Sequence, residues 1–505
     1  MIKRNMSVLL ITLALFTLLA LAISGGTRGG KADAPLVTST SSFWASEIPL
    51  RVPVQEGGKA DAPLVTSTRL TSVRGSSAIT TYLPVALRNF PPSPTVFGVQ
   101  VQQLTPSSGF DKINDVGAYW VRYSAFAWDE IEANQGTYNW EGVDGAGLQQ
   151  AYERGLKIIA TVQFTPRWAQ KYDGSYCGPI REDALDDFAE FLTALVKRYK
   201  DPPYGIKYWE LGNEPDMPIW YNHSGYGCWI ENGDPYASGG YYAEMLKQAY
   251  PAIKAADPEA VVLIGGLAIV CDPDNPPAGQ NCEASRFLEG ILQNGGGPYF
   301  DIVSFHAYAW YGGEEGKMYN RFWTGGEIVQ TTALAERVNF LRGVLEKYGY
   351  GEKPLFDTET ALTCTDDTSD CRETQAMYAA KAYAEALAFN LVGRTWYAMV
   401  NDGWYYTGLL QSSDLTPKPS FYAYQTASDF LSDAHYIGPI GYSGVEGYKF
   451  QDTSDFRFIE VVWASDDNLH TINPPAGASI YDRYGNVVSW SGSVQIGYAP
   501  LYIVY

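Results

Sequence analysis

The chain has 505 residues, of which 46% are hydrophobic and 14% aromatic, so it can bury a large core and is not disordered in bulk. Its formal net charge of −20 disfavours nucleic acids and anionic membrane surfaces as partners, because both require clustered lysine and arginine. We therefore expect a folded enzyme with one large domain and an appendage.

The N-terminus has the pattern of an export signal. Lys3 and Arg4 precede an apolar run from Val8 to Ile23, and small residues follow it. We predict that residues 1–24 are a signal peptide; because the run is close to the minimum length of a membrane span, an uncleaved N-terminal anchor is the alternative. The protein is therefore predicted to be secreted or attached to the cell surface, with no other membrane segment.

Residues 25–94 have the composition of a tether. The stretch GGKADAPLVTST occupies Gly29–Thr40 and is repeated letter for letter at Gly57–Thr68. A segment so rich in Gly, Ser, Thr and Pro cannot bury a core, so we predict a flexible low-complexity linker.

A strand–helix alternation occupies residues 95–437. Short apolar runs recur there, as expected for parallel strands that are covered on both faces. The eight predicted strands are Val96–Val101, Ala118–Ser124, Leu156–Gln163, Ile206–Gly212, Val261–Gly265, Phe300–Phe305, Pro354–Thr358 and Arg394–Val400. Amphipathic helical stretches between them include Asp183–Tyr199, Thr332–Tyr348 and Thr374–Leu391. This predicts an α/β fold, a (β/α)8 TIM barrel. The rival, a doubly wound sheet, lacks support because no glycine-rich turn follows the first strand.

In the last stretch, residues 438–505, the spacing of the apolar residues no longer fits alternating strands and helices. Short runs that are separated by turn signals such as Tyr484-Gly485-Asn486 predict a small antiparallel β-domain. The runs are Tyr448–Phe450, Phe456–Trp463, Ser479–Tyr481, Val487–Ser489 and Leu501–Tyr505. Aromatic residues of this domain could bind polysaccharide, but we expect it mainly to pack against the barrel.

The six cysteines suit an oxidising compartment. The predicted pairs are Cys271–Cys282 and Cys364–Cys371, which would each close one loop, and then Cys177–Cys228. A metal site is the alternative, but the spacings match no zinc pattern. We predict neither a metal nor another cofactor.

Two glutamates follow apolar runs at the ends of the fourth and seventh predicted strands. Glu214 lies in Asn213-Glu214-Pro215, and Glu359 ends Phe356-Asp357-Thr358-Glu359. Both strands of a barrel end at the same mouth, which would place one carboxyl on each side of a bound sugar. Glycosidic-bond cleavage needs a proton donor and a charge that meets the oxocarbenium-like transition state. We therefore predict a secreted retaining glycosidase.

The Asn-Glu-Pro motif after a strand resembles the fourth-strand signature of clan A of the glycoside hydrolases, the (β/α)8 retaining families. The segment that ends at Glu359 resembles the seventh-strand end, and the resemblance spans residues 95 to about 432, closest to families 39 and 5. It implies a retaining β-glycosidase that cleaves β-linked oligo- or polysaccharides by double displacement. In it Glu214 would be the acid/base, Glu359 the nucleophile and Asn213 a ligand of the sugar 2-hydroxyl. Asp357 is the competing nucleophile, but we expect it deeper in the barrel as a buried, hydrogen-bonded side chain.

Three other strand-end residues fit the same clan. The resemblance implies that Arg122, near the end of the second predicted strand, helps to keep Glu359 charged. It implies that His306 orients the substrate or a catalytic carboxylate, and that Tyr308 donates a hydrogen bond to the nucleophile.

Two tryptophans extend the resemblance. Trp396, at the eighth strand, would lie beneath the sugar next to the cleaved bond, with a core tryptophan as the alternative, and Trp168, after the third strand, would line the cleft. The alternative function is a non-catalytic carbohydrate-binding or adhesion protein on a barrel scaffold, because fold alone does not decide function. A binder, however, has no need of both carboxylates.

Overall fold

The computed structural model describes residues 95–505 except for residues 218–228, 232 and 402. The predicted signal peptide (residues 1–24) and tether (residues 25–94) therefore lie outside the described residues. Among the helices inside the described ranges, none has both the length and the apolar composition that a membrane-spanning helix requires.

Eight parallel strands form the centre of the fold, and each overlaps one of the apolar runs that predicted a strand. The first nine strands in chain order are β1 (Phe97–Val101), β2 (Trp120–Ala127), β3 (Lys157–Gln163), β4 (Tyr208–Asn213), β5 (Val261–Gly266), β6 (Val303–Tyr311), β7 (Met318–Tyr319), β8 (Leu355–Thr363) and β9 (Arg394–Trp396). Strand β7 is a short antiparallel addition to β6, so β8 and β9 are the seventh and eighth strands of the barrel.

The eight strands close on themselves. Their hydrogen-bonded order is β5, β4, β3, β2, β1, β9, β8, β6, and two parallel bridges, Leu263–Ile302 and Leu267–Phe305, join the β5 side to the β6 side. An apolar cluster lies near the beginnings of the strands and consists of Trp120, Ile159, Leu263, Ile302 and Phe356. The prediction of a (β/α)8 TIM barrel is confirmed.

Helices surround this barrel. The α-helices of the described ranges are α1 (Trp128–Ile131), α2 (Gly145–Glu153), α3 (Leu185–Tyr199), α4 (Gly239–Ala256), α5 (Phe287–Gln293), α6 (Leu334–Lys347), α7 (Ser369–Ala388) and α8 (Pro419–Leu431). Helix α3 buries the apolar stripe predicted for it, which includes Phe188, Leu192 and Leu195. Helix α7 is buried on every side from Thr374 to Ala386, because the barrel covers one side and the C-terminal sheet covers another.

Antiparallel strands follow the barrel, as predicted. They are β10 (Ala434–Pro439), β11 (Val445–Asp452), β12 (Phe458–Ala464), β13 (His470–Ile472), β14 (Ser479–Tyr481), β15 (Val494–Ile496) and β16 (Leu501–Val504). Five of them form a sheet in the order β10, β11, β12, β16, β14, while β13 pairs with β15. The sheet begins at Ala434, just before the predicted boundary at residue 438. The predicted strand Val487–Ser489 is absent, because Val487 forms only an isolated bridge with Tyr481. Strands β13 and β15 are not predicted from the sequence, because three residues are too few to show an alternating pattern.

The C-terminal sheet packs against helices α7 and α8. Phe430 of α8 stacks on Tyr502 of β16, with ring centroids 4.7 Å apart. Lys381 of α7 is buried, and its ammonium lies 5.4 Å from the centre of the Trp463 ring in β12. These contacts make the sheet a structural partner of the barrel.

Two predicted disulfides, Cys271–Cys282 and Cys364–Cys371, are present. Each closes a loop that follows a barrel strand, β5 or β8, at the end where the strands finish. Cys177 is also disulfide-bonded, and its predicted partner Cys228 lies outside the described residues.

Replacing Lys381 by methionine is expected to stabilise the folded protein at neutral pH. Burial lowers the pKa of Lys381 from 10.5 to about 8, so the folded state binds this proton less tightly than the unfolded chain does. The resulting destabilisation is complete below about pH 8 and disappears as the pH rises to 10.5. The uncharged variant should therefore gain up to about 3 kcal/mol of unfolding free energy at neutral pH.

Urea unfolding of both proteins across this pH range measures the effect. The exposed Lys197 of α3 offers a matched control, since Lys197→Met should change the unfolding free energy little at any pH. A Lys381→Met protein that is less stable at neutral pH would show that the contact with Trp463 outweighs the cost of burying the charge.

Candidate active site

Two carboxylates and an imidazole meet at the mouth of the barrel where the strands end. Glu214 directly follows β4, Glu359 lies in β8 and His306 lies in β6. One oxygen of each carboxylate and one nitrogen of the imidazole lie within 4.8 Å of one another. Glu359 is buried, whereas 20% of the Glu214 side chain is accessible. The barrel thus brings together the two glutamates that the sequence analysis paired.

A left-handed backbone turn at the end of β4 positions Glu214. Gly212 has a φ of 101° and Glu214 a φ of 50°, a region that residues with a side chain rarely adopt. The Glu214 amide donates to the carbonyl of Gly266 in β5 at 2.8 Å, which ties the turn to the neighbouring strand. Such backbone strain costs about 1–3 kcal/mol and concentrates at functional sites.

Strand β8 directs Asp357 and Glu359 to opposite faces of the sheet. Its register shifts against both neighbouring strands just before Glu359. Asp357 consequently lies between the sheet and the helices, where it forms an ion pair with Arg394 at 2.9 Å. Complete burial raises the pKa of Asp357 to about 7. Asp357 is buried and paired, but the prediction that it lies deeper in the barrel is wrong, because the register shift reverses the alternation and turns its side chain toward the helices.

A buried arginine connects the residues of the site. Arg122 of β2 is completely buried and donates to Glu210 at 2.7 Å, Gln100 at 2.9 Å, Asn213 at 2.7 Å and Glu359. A guanidinium has five N–H donors in a rigid plane. Its orientation therefore fixes the orientation of both Asn213 and Glu359.

The surroundings of Glu359 favour its ionised form. Its second oxygen accepts a hydrogen bond from the Tyr308 hydroxyl at 2.7 Å. Burial alone would raise the pKa of Glu359, but the charges of His306 and Arg122 and the hydrogen bonds from Tyr308 and Arg122 outweigh burial and lower this pKa. Burial raises the pKa of Tyr308 well above its ordinary value, so the phenol keeps the proton that it donates.

His306 lies between the two glutamates. Its Nδ1 is 3.0 Å from an oxygen of Glu214 and 3.5 Å from an oxygen of Glu359. Burial opposes the charged imidazolium, but the two carboxylates outweigh burial and raise the pKa of His306. On the other edge of the ring lies Gly266, where a Cβ would overlap the imidazole Nε2. Glycine at position 266 therefore leaves the space that the imidazole of His306 occupies.

Tyr397 faces the carboxylates, and Trp396 does not. Trp396 is completely buried, its indole donates to a backbone carbonyl at 2.7 Å, and its ring packs against Tyr378 of α7. The prediction that Trp396 lies beneath the sugar is therefore wrong. Because successive side chains of a strand point to opposite faces, the next residue, Tyr397, turns inward and contacts Tyr308, with ring centroids 6.4 Å apart.

The sequence analysis did not select Trp404, Gln100 or Glu210. Trp404 lies edge-on to Tyr308 and Tyr397, with centroid distances of 4.9 and 5.1 Å, and completes an aromatic side of the site. Gln100 and Glu210 are polar residues inside otherwise apolar barrel strands. That pattern could have identified them, whereas a loop residue such as Trp404 gives no periodic signal.

Trp168 lies in a short helical turn after β3. Its indole donates to the carbonyl of Glu132 at 2.9 Å, and its ring lies edge-on to Trp128, with centroids 5.4 Å apart. Trp168 therefore packs against Trp128, the first residue of α1. Its role in lining the cleft stays a prediction.

The cluster of Glu214, His306 and Glu359 also has the dimensions of a cation site. Both oxygens of Glu359 already accept hydrogen bonds, from Arg122 and Tyr308. Arg122 therefore already supplies the positive charge that a metal cation would bring to this carboxylate. The surroundings of Glu359 are those of a carboxylate paired with arginine rather than those of a metal ligand.

The comparison with known families agrees with this geometry. The description Cellulase (glycosyl hydrolase family 5) matches residues 83–403, which is more than half of the chain. The chain belongs to glycosyl hydrolase family 5. This family is part of clan A, so the clan inferred from the Asn-Glu-Pro motif is confirmed. A search of curated proteins found no match.

Solved structures of other glycoside hydrolases share the fold of this family 5 member. A family 39 glycoside hydrolase from Bacteroides cellulosilyticus is 20% identical, with a TM-score of 0.62 and coverage of 82% of this chain and 81% of the other. A family 30 endoxylanase from Clostridium papyrosolvens is 15% identical, with a TM-score of 0.54 and coverage of 81% and 96%. A family 39 β-xylosidase from Caulobacter crescentus is 15% identical, with a TM-score of 0.53 and coverage of 83% and 98%.

Tyr308→Phe is expected to move the acidic limb of the pH–activity profile to higher pH. The substitution removes a hydrogen bond that lowers the pKa of Glu359, so this carboxylate would become protonated at a higher pH. A hydrogen bond to a charged group contributes about 1.5–3 kcal/mol, which corresponds to a shift of roughly one to two pH units. The kcat/KM for an aryl β-glycoside, measured between pH 3 and 8, reports this limb. An unchanged limb would contradict the assignment of Glu359 as the group that must be ionised.

Asp357→Asn and Glu359→Gln are expected to affect different properties. Asp357→Asn leaves the buried Arg394 without its closest carboxylate, so the unfolding free energy should fall by about 3 kcal/mol. Glu359→Gln should leave the unfolding free energy within about 1 kcal/mol, since Arg122 keeps Glu210 as a charged partner, and should reduce activity by on the order of 10³-fold or more. Thermal unfolding and hydrolysis of an aryl β-glycoside measure both. An Asp357→Asn enzyme that is stable but inactive would reverse the two assignments.

Proposed function

We propose that this family 5 enzyme is a secreted retaining β-glycosidase that cleaves β-linked oligo- or polysaccharides by double displacement. The observation that carries the proposal is the pair Glu214 and Glu359, with an oxygen of each within 4.8 Å of the other across the barrel mouth. Retaining enzymes place the two carboxyls about 5–5.5 Å apart, whereas inverting enzymes separate them by about 6.5–9.5 Å to admit a water. The short separation supports the retaining class.

Glu359 is the nucleophile in this mechanism. Its carboxylate oxygen bonds to the anomeric carbon while the glycosidic C–O bond breaks, which gives a covalent glycosyl-enzyme. Glu214 is the general acid, and its proton passes to the departing oxygen so that the leaving sugar departs as a neutral alcohol. Arg122 and Tyr308, which lower the pKa of Glu359, keep it ionised before the attack.

Glu214 acts as the general base in the second step. It takes a proton from a water whose oxygen bonds to the anomeric carbon, and the bond to Glu359 breaks, so both side chains return to their starting states. Two successive inversions at the anomeric carbon retain its configuration. His306 is the positioning residue for Glu214, because its Nδ1 lies 3.0 Å from that carboxylate.

The substrate contacts follow from the fixed side chains. The Asn213 carbonyl oxygen accepts from Arg122, which leaves the amide NH₂ to donate to the sugar 2-hydroxyl. Tyr397 and Trp404 offer ring surface to the apolar face of the sugar. The matching family description is Cellulase, and two structural relatives are named as an endoxylanase and a β-xylosidase. β-Glucans and xylans are therefore the first polymers to test.

The extracellular location is proposed from the sequence and the disulfides. Residues 1–24 have the pattern of a signal peptide, with an uncleaved anchor as the alternative, and the disulfides fit an oxidising compartment. A structural relative with 13% identity and a TM-score of 0.57 is described as a conserved exported protein from Bacteroides fragilis. In this proposal residues 25–94 are a tether, residues 95–437 the catalytic barrel and residues 438–505 the C-terminal β-domain.

Reducing-sugar release from β-glucans, xylans, mannans and galactans tests the activity. The wild-type protein should release sugar from at least one polymer, and Glu359→Ala should not. The exposed Glu153 of α2 offers a matched control, because Glu153→Gln should leave hydrolysis unchanged. Azide should restore turnover of an activated aryl glycoside by Glu214→Ala and yield a β-glycosyl azide, since this anion bonds to the anomeric carbon of the glycosyl-enzyme without a general base while the bond to Glu359 breaks.

Proton NMR of the first product distinguishes the stereochemical outcome. The β-anomer should form first and then mutarotate, whereas initial α-anomer would overturn the retaining mechanism. If no polymer is cleaved but one still binds, the protein is a carbohydrate-binding protein on a barrel scaffold, and the proposed activity is wrong.

A further inference from the structure

A shallow groove, largely open to solvent and with a volume of about 420 Å³, lies where helices α7 and α8 meet the C-terminal domain. Its volume is within the range of ligand-binding clefts, about 300–1,000 Å³. It is separate from the carboxylate pair, because none of the residues around Glu214 and Glu359 lines it. The lining residues are Glu373, Pro417, Pro419, Tyr422, Tyr484 and Asn486.

The groove opens on the catalytic side of the barrel. In a (β/α)8 barrel each helix begins at the end where the preceding strand finishes, which is the end that carries the active site. Glu373 lies in the first turns of α7, which follows the β8 strand of Glu359, and Tyr422 lies in the first turns of α8. A linear polymer bound across the mouth could therefore extend to this groove.

The wall that the C-terminal domain contributes is already formed. Asp482 accepts from the backbone amides of Tyr484 and Asn486, at 2.8 and 2.9 Å, which fixes the turn between them. The Tyr484 hydroxyl donates to Glu373 at 2.5 Å, and Arg483 forms an ion pair with the same carboxylate. The turn is thus tied to helix α7, and little conformational entropy would be lost on binding.

The side chains in the groove match the chemistry of a neutral sugar. Tyr422 is 48% exposed, so much of its ring is open to a ligand, and the prolines beside it add a flat apolar rim. Sugar rings present C–H faces to aromatic side chains and hydroxyls to polar groups, which Asn486 and the Glu373 carboxylate supply. Because Arg483 neutralises Glu373 and the chain carries a net charge of −20, an anionic polymer is disfavoured.

We propose that this groove is a second glycan-binding site, which takes a neutral part of the β-linked substrate away from the cleaved bond. The proposal rests on the glycosidase function proposed above. Occupation of both sites by one chain raises the effective concentration of polymer at the active site. Short substrates that reach only the carboxylates gain nothing from the groove.

Affinity electrophoresis in native gels that contain xylan, mixed-linkage β-glucan or glucomannan tests the proposal. The full-length Glu359→Gln protein is used as the parent, so that no polymer is consumed. Tyr422→Ala added to this parent should weaken retention by roughly 3- to 10-fold, the contribution of an aromatic contact. Tyr422→Phe should preserve retention because it keeps the ring. Tyr152, an exposed tyrosine at the end of α2 just before β3, is the matched control, and Tyr152→Ala should change nothing.

Kinetics of the otherwise wild-type enzyme separate the groove from the active site. Tyr422→Ala should lower kcat/KM on the retained polymer by a similar factor and leave hydrolysis of an aryl β-glycoside within twofold. Equal retention of Tyr422→Ala and its parent, with normal polymer hydrolysis, would show that the groove does not bind the glycan and would leave the glycosidase function standing. Absence of both hydrolysis and retention for every protein would overturn the glycosidase function, and the groove proposal with it. Thermal unfolding of each variant establishes that the fold is intact.

Discussion

The buried charge of Arg122 is the constraint on which the active site depends. An unpaired guanidinium in the barrel interior would be very costly, and this one has two carboxylate partners, Glu210 and Glu359. Glu210 is further satisfied by the Thr161 hydroxyl, which donates to it at 2.9 Å. The charges of His306 and Arg122 and the hydrogen bond from Tyr308 keep Glu359 ionised, and because Arg122 also pairs with Glu210, part of the charge on Glu359 is left uncompensated. That remaining charge is what a nucleophile and an oxocarbenium-like transition state require.

A second buried arginine, Arg394, supports the same strand from the opposite face of the sheet. It pairs with Asp357 and donates to the Thr360 hydroxyl at 3.0 Å, so it contacts β8 on either side of Glu359. Tyr378 of α7 also contacts Thr360, with its hydroxyl 2.6 Å from the threonine oxygen. The strand is therefore fixed from the interior by Arg122 and from the helix layer by Arg394. A proposed nucleophile benefits from this support because small displacements of a reacting group reduce the rate strongly.

The sequence predicts the barrel well because each strand is an apolar run that both faces of the sheet bury. It predicts less well which face a side chain occupies near the end of a strand. The chemistry of tryptophan favours Trp396 as the residue beneath the sugar, but the alternation along β9 gives the inward position to Tyr397. The side of the sheet that Asp357 occupies does not follow from the sequence, because the register shift in β8 depends on its pairing with strands far away in the chain. Trp404 lies in a loop, where only the folded chain shows what the residue contacts.

Helix α7 explains why the barrel and the C-terminal domain form a single structural unit. Between Thr374 and Ala386 the helix has no solvent-exposed face, so other parts of the protein must pack against it all round. Tyr378 contacts Thr360 of β8, and Lys381, one turn later in the helix, lies against the Trp463 ring of the sheet. Glu373 accepts a hydrogen bond from Tyr484 and pairs with Arg483, and these two contacts, which shape the groove, belong to the same interface that covers the helix. Tyr422, in contrast, is half exposed on α8, so the domain contacts do not require its ring, and glycan binding can be separated from domain packing at that residue.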